Sequence, residues 1–169
     1  MKNIIFIIFF YLIQFLNLSS NEPKLEEIIK GLKNPWSFSF MSNENILVTE
    51  KSGGLLKINL TNKQLSKFNH NLNILEDGQG GLLEVLFNDK EIFVSYSENR
   101  GGGKSSTSVA KALFKKKDLN FKNIFRAEPP INSGYHFGSR LVIKDNYLFI
   151  TAGERGQGMI AQDATKHPG

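Results

Sequence analysis

Cysteine is absent from this 169-residue sequence. No disulfide framework can hold the fold, and no lipid-modified cysteine can anchor an exported form. A cysteine-based zinc site is excluded too, and His136 has no partner histidine at i+2 or i+4 to build another kind. There is no Gly-x-Ser-x-Gly elbow, so acyl transfer has no nucleophile candidate. Gly101-Gly102-Gly103-Lys104-Ser105-Ser106 lacks the first glycine of a phosphate loop, and no helix clearly follows it. It reads instead as a flexible loop. Concentrated positive charge is also missing. The formal net charge is +5, but the lysines are scattered apart from Lys115-Lys116-Lys117. That triplet sits beside Asp118 and reads as a solvated turn. The pattern argues against nucleic acid as a partner, while a weak basic balance favours anionic ligands.

Long apolar runs are scarce as well. The longest, Ile4 to Leu18, covers roughly 15 residues, short of the ~20 that a membrane-spanning helix needs. It follows the positive start Met1-Lys2-Asn3 and precedes the small residues Ser19 and Ser20. This is the pattern of a secretory signal peptide over residues 1–20, cleaved near Ser20, with a transmembrane anchor as the alternative. The expected location is periplasmic or secreted, with no stable membrane insertion after cleavage. Its removal leaves about 149 residues, 21–169, enough for one ordinary domain.

Beyond that segment, strand signals dominate. Three apolar runs, Trp36 to Phe40, Leu82 to Phe87 and Leu141 to Ile143, each lead into a polar turn. The turns are Ser42-Asn43-Glu44-Asn45, Asn88-Asp89-Lys90 and Lys144-Asp145-Asn146. Each is followed by a β-prone run: Ile46 to Thr49, Ile92 to Tyr96, and Leu148 to Thr151. Each unit then ends in a polar loop that opens on Glu50, Glu98 or Glu154. The second strands begin about 46 and then about 56 residues apart, a spacing that suggests propeller blades. Leu55 to Leu60 and Val109 to Phe114 supply further strands, so the triple glycine falls between blades. Leu25 to Leu32 fits a helix or a β-entry equally well. The fold class expected is all-β, a β-propeller, with a β-sandwich as the alternative. A closed propeller uses about four to eight blades. This sequence holds only the first two to three, so an N-terminal portion is expected. A complete small sandwich is the competing reading.

Candidate chemistry gathers at two places. His136 lies between Tyr135 and Phe137 at the start of a strand, where a near-neutral imidazole suits a general base. His70 and His167 have no such setting. Asp77-Gly78-Gln79-Gly80-Gly81 does not match an alternating calcium loop. It reads as a tight loop whose glycines let a ligand approach the backbone. Gln79 offers an amide donor and acceptor there.

Five segments fall in one order: GLKNPWSFSF, ILVTEKSGGLLKI, DGQGGLLEVLF, IFVSYSE and HFGSRLVIKDNYLFITAGERG. Together they resemble the soluble pyrroloquinoline-quinone (PQQ)-dependent sugar dehydrogenases, the glucose/sorbosone dehydrogenase family. The resemblance implies a six-bladed propeller with the quinone over its central channel. It implies oxidation of an aldose at the anomeric carbon, with hydride passing to the quinone and onward to an external electron acceptor. His136 matches the histidine that removes the hydroxyl proton. Gln79 matches a glutamine that contacts cofactor near the substrate. Glu154 falls where some members carry an aspartate near the substrate. Arg140 and Arg155 belong to the motifs and read as structural charges. The groups that hold the quinone carboxylates, and those that bind calcium, are implied to lie downstream. The competing function is a non-catalytic propeller that binds a partner, since fold alone does not set function.

Overall fold

A computed structural model describes residues 23–115 and 117–167. The expected signal peptide, like Lys116 of the lysine triplet, lies outside them. Among the described residues, eleven strands and one short 3₁₀ turn, Gly158–Gln162, make up the regular structure. β1 (Pro35–Phe40), β2 (Asn45–Glu50), β3 (Gly54–Asn59) and β4 (Leu65–His70) form an antiparallel meander. β5 (Leu82–Asn88), β6 (Glu91–Asn99), β7 (Ser105–Leu113) and β9 (Lys122–Arg126) form a second. β8 (Asp118–Leu119) interrupts the second unit and adds in parallel to β4, tying the outer edge of one sheet to the next. β10 (Gly138–Lys144) and β11 (Tyr147–Ala152) begin a third unit.

The three expected hairpins are present, each closed at its expected turn. Asp145 and Asn146 both take positive φ, 50° and 64°. That is the backbone a two-residue type I′ hairpin needs, and Asx residues tolerate it. Each unit also breaks register near the start of its first strand, at Pro35/Ser37, Leu82/Val85 and Gly138/Leu141. The recurrence of this irregularity makes the repeat structural as well as compositional.

A second recurrence binds the units together. Thr49 Oγ1 accepts from the Ser37 amide at 3.1 Å and donates to the Leu83 carbonyl of the next unit at 2.6 Å. Ser95 Oγ accepts from the Glu84 amide at 3.0 Å and donates to the Ser139 carbonyl at 2.6 Å. Thr151 Oγ1 occupies the same place in the third unit and accepts from the Arg140 amide at 2.9 Å. Each hydroxyl holds its own first strand; Thr49 and Ser95 also grip the next one. Along those first strands runs a side-chain chain: Ser37 donates to Glu84 at 2.8 Å, and Arg140 pairs with the other Glu84 oxygen.

Apolar packing follows the same seams. Leu47, Leu55 and Phe68 of the first sheet meet Leu82, Val85 and Val94 of the second in one core. Phe93 and Val109 meet Leu141 of the third unit.

Four expectations need correction. Residues 25–32 form neither helix nor strand; Ile29 and Leu32 pack as irregular chain on Val48, Leu56 and Ile58. The triple glycine is not a connection between units. It turns β6 into β7 inside one sheet, with φ of 82°, 59° and 73° at Gly101, Gly102 and Gly103. Only glycine adopts such a run cheaply. Two full strands, β4 and β9, were not expected. Finally, Glu98 is not a loop residue.

Glu98 lies within β6 and is 7% exposed. Arg126 grips both its oxygens, at 2.8 and 3.0 Å, while Ser108 and Asn123 donate to it at 2.7 and 2.9 Å. Burial alone would raise its pKa, but the Arg126 and Ser108 bonds outweigh burial and hold the carboxyl below its ordinary 4.5. Tyr96 donates to Asn123 at 2.7 Å. Burial first, and then the Glu98 charge, push its phenol up to about 12. A carboxyl whose folded pKa is depressed stabilises the fold above its unfolded pKa and loses that contribution as pH falls through the folded value. Glu98→Ala should therefore cost about 2–3 kcal/mol at neutral pH, the range for lost charged hydrogen bonds. The gap from wild type should shrink as pH is lowered below 4.5. Denaturant melts across pH check this; a gap constant with pH would contradict it.

Candidate active site

The loop before β10 and the loop after β11 close on each other at one end of the third unit. Gly153 donates its amide to the Phe137 carbonyl at 3.1 Å, and Arg155 donates its amide to the His136 carbonyl at 3.3 Å. The loop before β5 meets them from the second unit: the Gln79 amide donates to the Gly134 carbonyl at 2.7 Å. Three segments distant in sequence thus converge on His136.

His136 takes φ of 49°, an uncommon backbone state for a residue with a Cβ. Its amide donates to Gln79 Oε1 at 2.9 Å. Because a backbone N–H must meet an acceptor, this bond also settles which end of the Gln79 amide is oxygen. Gln79 is exposed, and its NH₂ makes no hydrogen bond among the described residues.

The imidazole Nδ1 bonds to Glu154 Oε1. Glu154 also accepts from the Gly156 amide at 3.2 Å. The His136 bond comes first among the causes that hold the Glu154 carboxyl below its ordinary 4.5. An ionised carboxylate can only accept, so Nδ1 carries the proton in this bond. In the neutral imidazole this fixes the tautomer, with Nε2 carrying the lone pair. Among the described residues Nε2 makes no hydrogen bond, and the His136 side chain is 53% exposed.

The structure brings His136, Gln79 and Glu154 into one chain of contacts. Glu154, read from the sequence as a substrate contact, bonds the imidazole through Oε1. The glycine loop also differs from expectation. A Cβ on Gly78, which has φ of 53°, would strike the Gly134 backbone, and one on Gly80 would lie 2.8 Å from the Phe137 ring. These glycines make room for the protein's own loop, not for a ligand. Lys51, which no sequence pattern singled out, donates to the Gly78 carbonyl beside Gln79. It lies in the polar loop after β2, within the ILVTEKSGGLLKI segment. His70 and His167 serve structural bonds: His70 Nε2 to the Gly53 carbonyl at 2.7 Å, and His167 Nδ1 from the Glu128 amide at 3.0 Å.

The donor set bears on cofactors. The Gln79 NH₂ and the His136 lone pair fit the polar edge of a carbonyl-bearing ligand and a sugar hydroxyl. Among the described residues no group of three or more His, Cys, Asp or Glu could hold a metal ion.

Radially repeated antiparallel sheets, stitched first strand to first strand, with an acid-oriented histidine at the mouth, define part of a β-propeller. Residues 32–169 match the family model described as Glucose / Sorbosone dehydrogenase. The chain belongs to the glucose/sorbosone dehydrogenase family. It is similar to the aldose sugar dehydrogenase YliI of Escherichia coli K12, 33% identical over 155 residues, covering 86% of this chain and 42% of that one. A crystal structure of a glucose dehydrogenase superposes with a TM-score of 0.81 at 34% identity, over 87% of this chain and 46% of that one. The PQQ-bound aldose sugar dehydrogenase of Streptomyces coelicolor shares the fold, with a TM-score of 0.76 at 19% identity, over 87% of this chain and 46% of that one. The chain spans less than half the length of these relatives.

The His136–Glu154 bond can be read directly. In His136→Ala, the Glu154 carboxyl should titrate higher, back toward 4.5. Carbon-13 NMR of labelled glutamate measures this. An unmoved midpoint would show that the two side chains do not pair in solution.

Proposed function

We propose that the protein carrying this chain oxidises aldose sugars at the anomeric carbon, with His136 as general base. The observation that carries this is the histidine itself: its backbone is held by Gln79, its Nδ1–H by Glu154, and its Nε2 is free at an exposed mouth. Membership of a sugar dehydrogenase family supports the reaction class.

In this reading the anomeric hydroxyl of the sugar donates to Nε2. As the C1–H bond breaks and its hydride leaves, the hydroxyl proton passes to Nε2 and a C1=O bond forms. Imidazolium develops, and the adjacent Glu154 carboxylate stabilises it, as an acid partner does for any base that gains charge in the transition state. The Gln79 NH₂ supplies a neutral donor that orients the ligand without competing for the proton. PQQ, when bound, supplies a two-electron acceptor for the hydride, which an external electron acceptor then reoxidises. The hard redox chemistry belongs to that group, and the protein supplies orientation and the base.

We further propose that residues 1–20 direct export to the periplasm or exterior and are removed, and that 21–169 form the N-terminal part of a longer propeller domain. The chain's coverage of under half of YliI supports the second point.

Full-length protein loaded with PQQ should reduce a dye in the presence of aldoses. His136→Ala and His136→Gln should each lower kcat by about 10²-fold or more, the range for a lost acid–base group. Quinone affinity should change far less. A near-normal kcat, or a defect explained wholly by lost quinone binding, would contradict the assignment.

A further inference from the structure

Arg155 is 2% exposed, and none of its hydrogen-bond partners among the described residues is a carboxylate. Burying a guanidinium without a counter-charge is costly. Burial pulls its pKa down to about 10, with the Asp77 charge opposing, so it remains a cation at neutral pH. Nothing in the proton transfer above uses it.

Its partners show what it does. Nε donates to the Tyr135 carbonyl at 2.9 Å, and Nη2 donates to the Ser133 carbonyl. Nη1 and Nη2 donate to the Ser105 carbonyl and hydroxyl, both at 2.9 Å. The guanidinium carbon lies 3.7 Å from the Phe137 ring centroid. The Arg155 amide meets the His136 carbonyl. One residue therefore touches Ser133, Tyr135, His136 and Phe137, and moors them to Ser105 on β7 of the second unit. Glu154, its neighbour in sequence, holds the imidazole of the same histidine. A single turn fixes both the ring and the backbone beneath it.

We propose that Arg155 is the positioning residue for His136: a desolvated guanidinium that templates the 133–137 loop and sets the rate of proton removal, not the affinity for sugar or quinone. The proposal rests on the reading of His136 as general base. Only a planar fork reaches carbonyls on several sides at once; an ammonium cannot reproduce it.

The test uses full-length protein in three forms: wild type, Arg155→Lys and Ser105→Ala. The last removes one acceptor of the fork while leaving the cation in place, so it remains informative if Arg155→Lys folds poorly. Hydrogen exchange by mass spectrometry follows peptides over 133–137 and over β6. Steady-state assays with PQQ and an aldose give kcat, KM and quinone affinity. Arg155→Lys should speed exchange selectively over 133–137 and lower kcat about tenfold or more, since small misplacement of a reacting group is expensive. KM and quinone affinity should stay within about threefold, and Ser105→Ala should give the same pattern more weakly. Unchanged exchange over 133–137 in both variants would overturn the proposal. So would faster exchange spread equally over β6, which marks a merely structural residue. If wild type oxidises no aldose, the function proposed above fails, and exchange alone then decides whether Arg155 templates the loop.

Discussion

The structure depends on a buried hydroxyl that faces two ways. Thr49 and Ser95, both fully buried, each accept from the first strand of their own sheet and donate to the first strand of the next. A typical hydrogen bond adds only about 1 kcal/mol net, but an unmade buried one costs about 1–3 kcal/mol. The arrangement therefore specifies where each sheet must sit more than it strengthens the packing. The apolar seams would tolerate some sliding; the hydroxyls do not, because a slipped strand leaves a carbonyl and an amide unpaired.

The site follows from that constraint. Ser95 fixes the Ser139 carbonyl, and Thr107 Oγ1 fixes the Phe137 carbonyl at 2.7 Å. Both anchor points flank the entry to β10, so the loop that carries His136 is delivered to the mouth between two sheets. Gln79 approaches from one sheet and Glu154 from the other. Neither sheet alone contains the triad of contacts. The strained backbone at His136 persists because bonds from both sides over-determine it.

Much of this was legible in the sequence. The hairpins were, because Asx-rich turns between short β-prone runs have a direct backbone meaning. So was the repeat, and the motifs singled out His136 and Gln79, which the fold brings into contact. The remainder was hidden for physical reasons. β4 and β9 bury little: Phe68 is the one buried residue of β4, and β9 has none, so neither shows a core face. Glu98 looked like loop because it is charged, yet its partner Arg126 lies 28 residues away. Gln79 and His136 are 57 residues apart, and no local pattern encodes that contact. The glycines around Gln79 carried the right signal of close approach with the wrong occupant.

The seam between the second and third units builds the loop that carries His136. The most direct measurement compares Ser95→Ala, at that seam, with Thr49→Val, at the preceding one, in full-length protein. Both should cost about 1–3 kcal/mol of stability. Nitrogen-15 NMR of labelled histidine then reads the His136 ring. Ser95→Ala should shift the His136 signals, and Thr49→Val should leave them in place. Equal shifts from both variants, or none from Ser95→Ala at a comparable loss of stability, would contradict it.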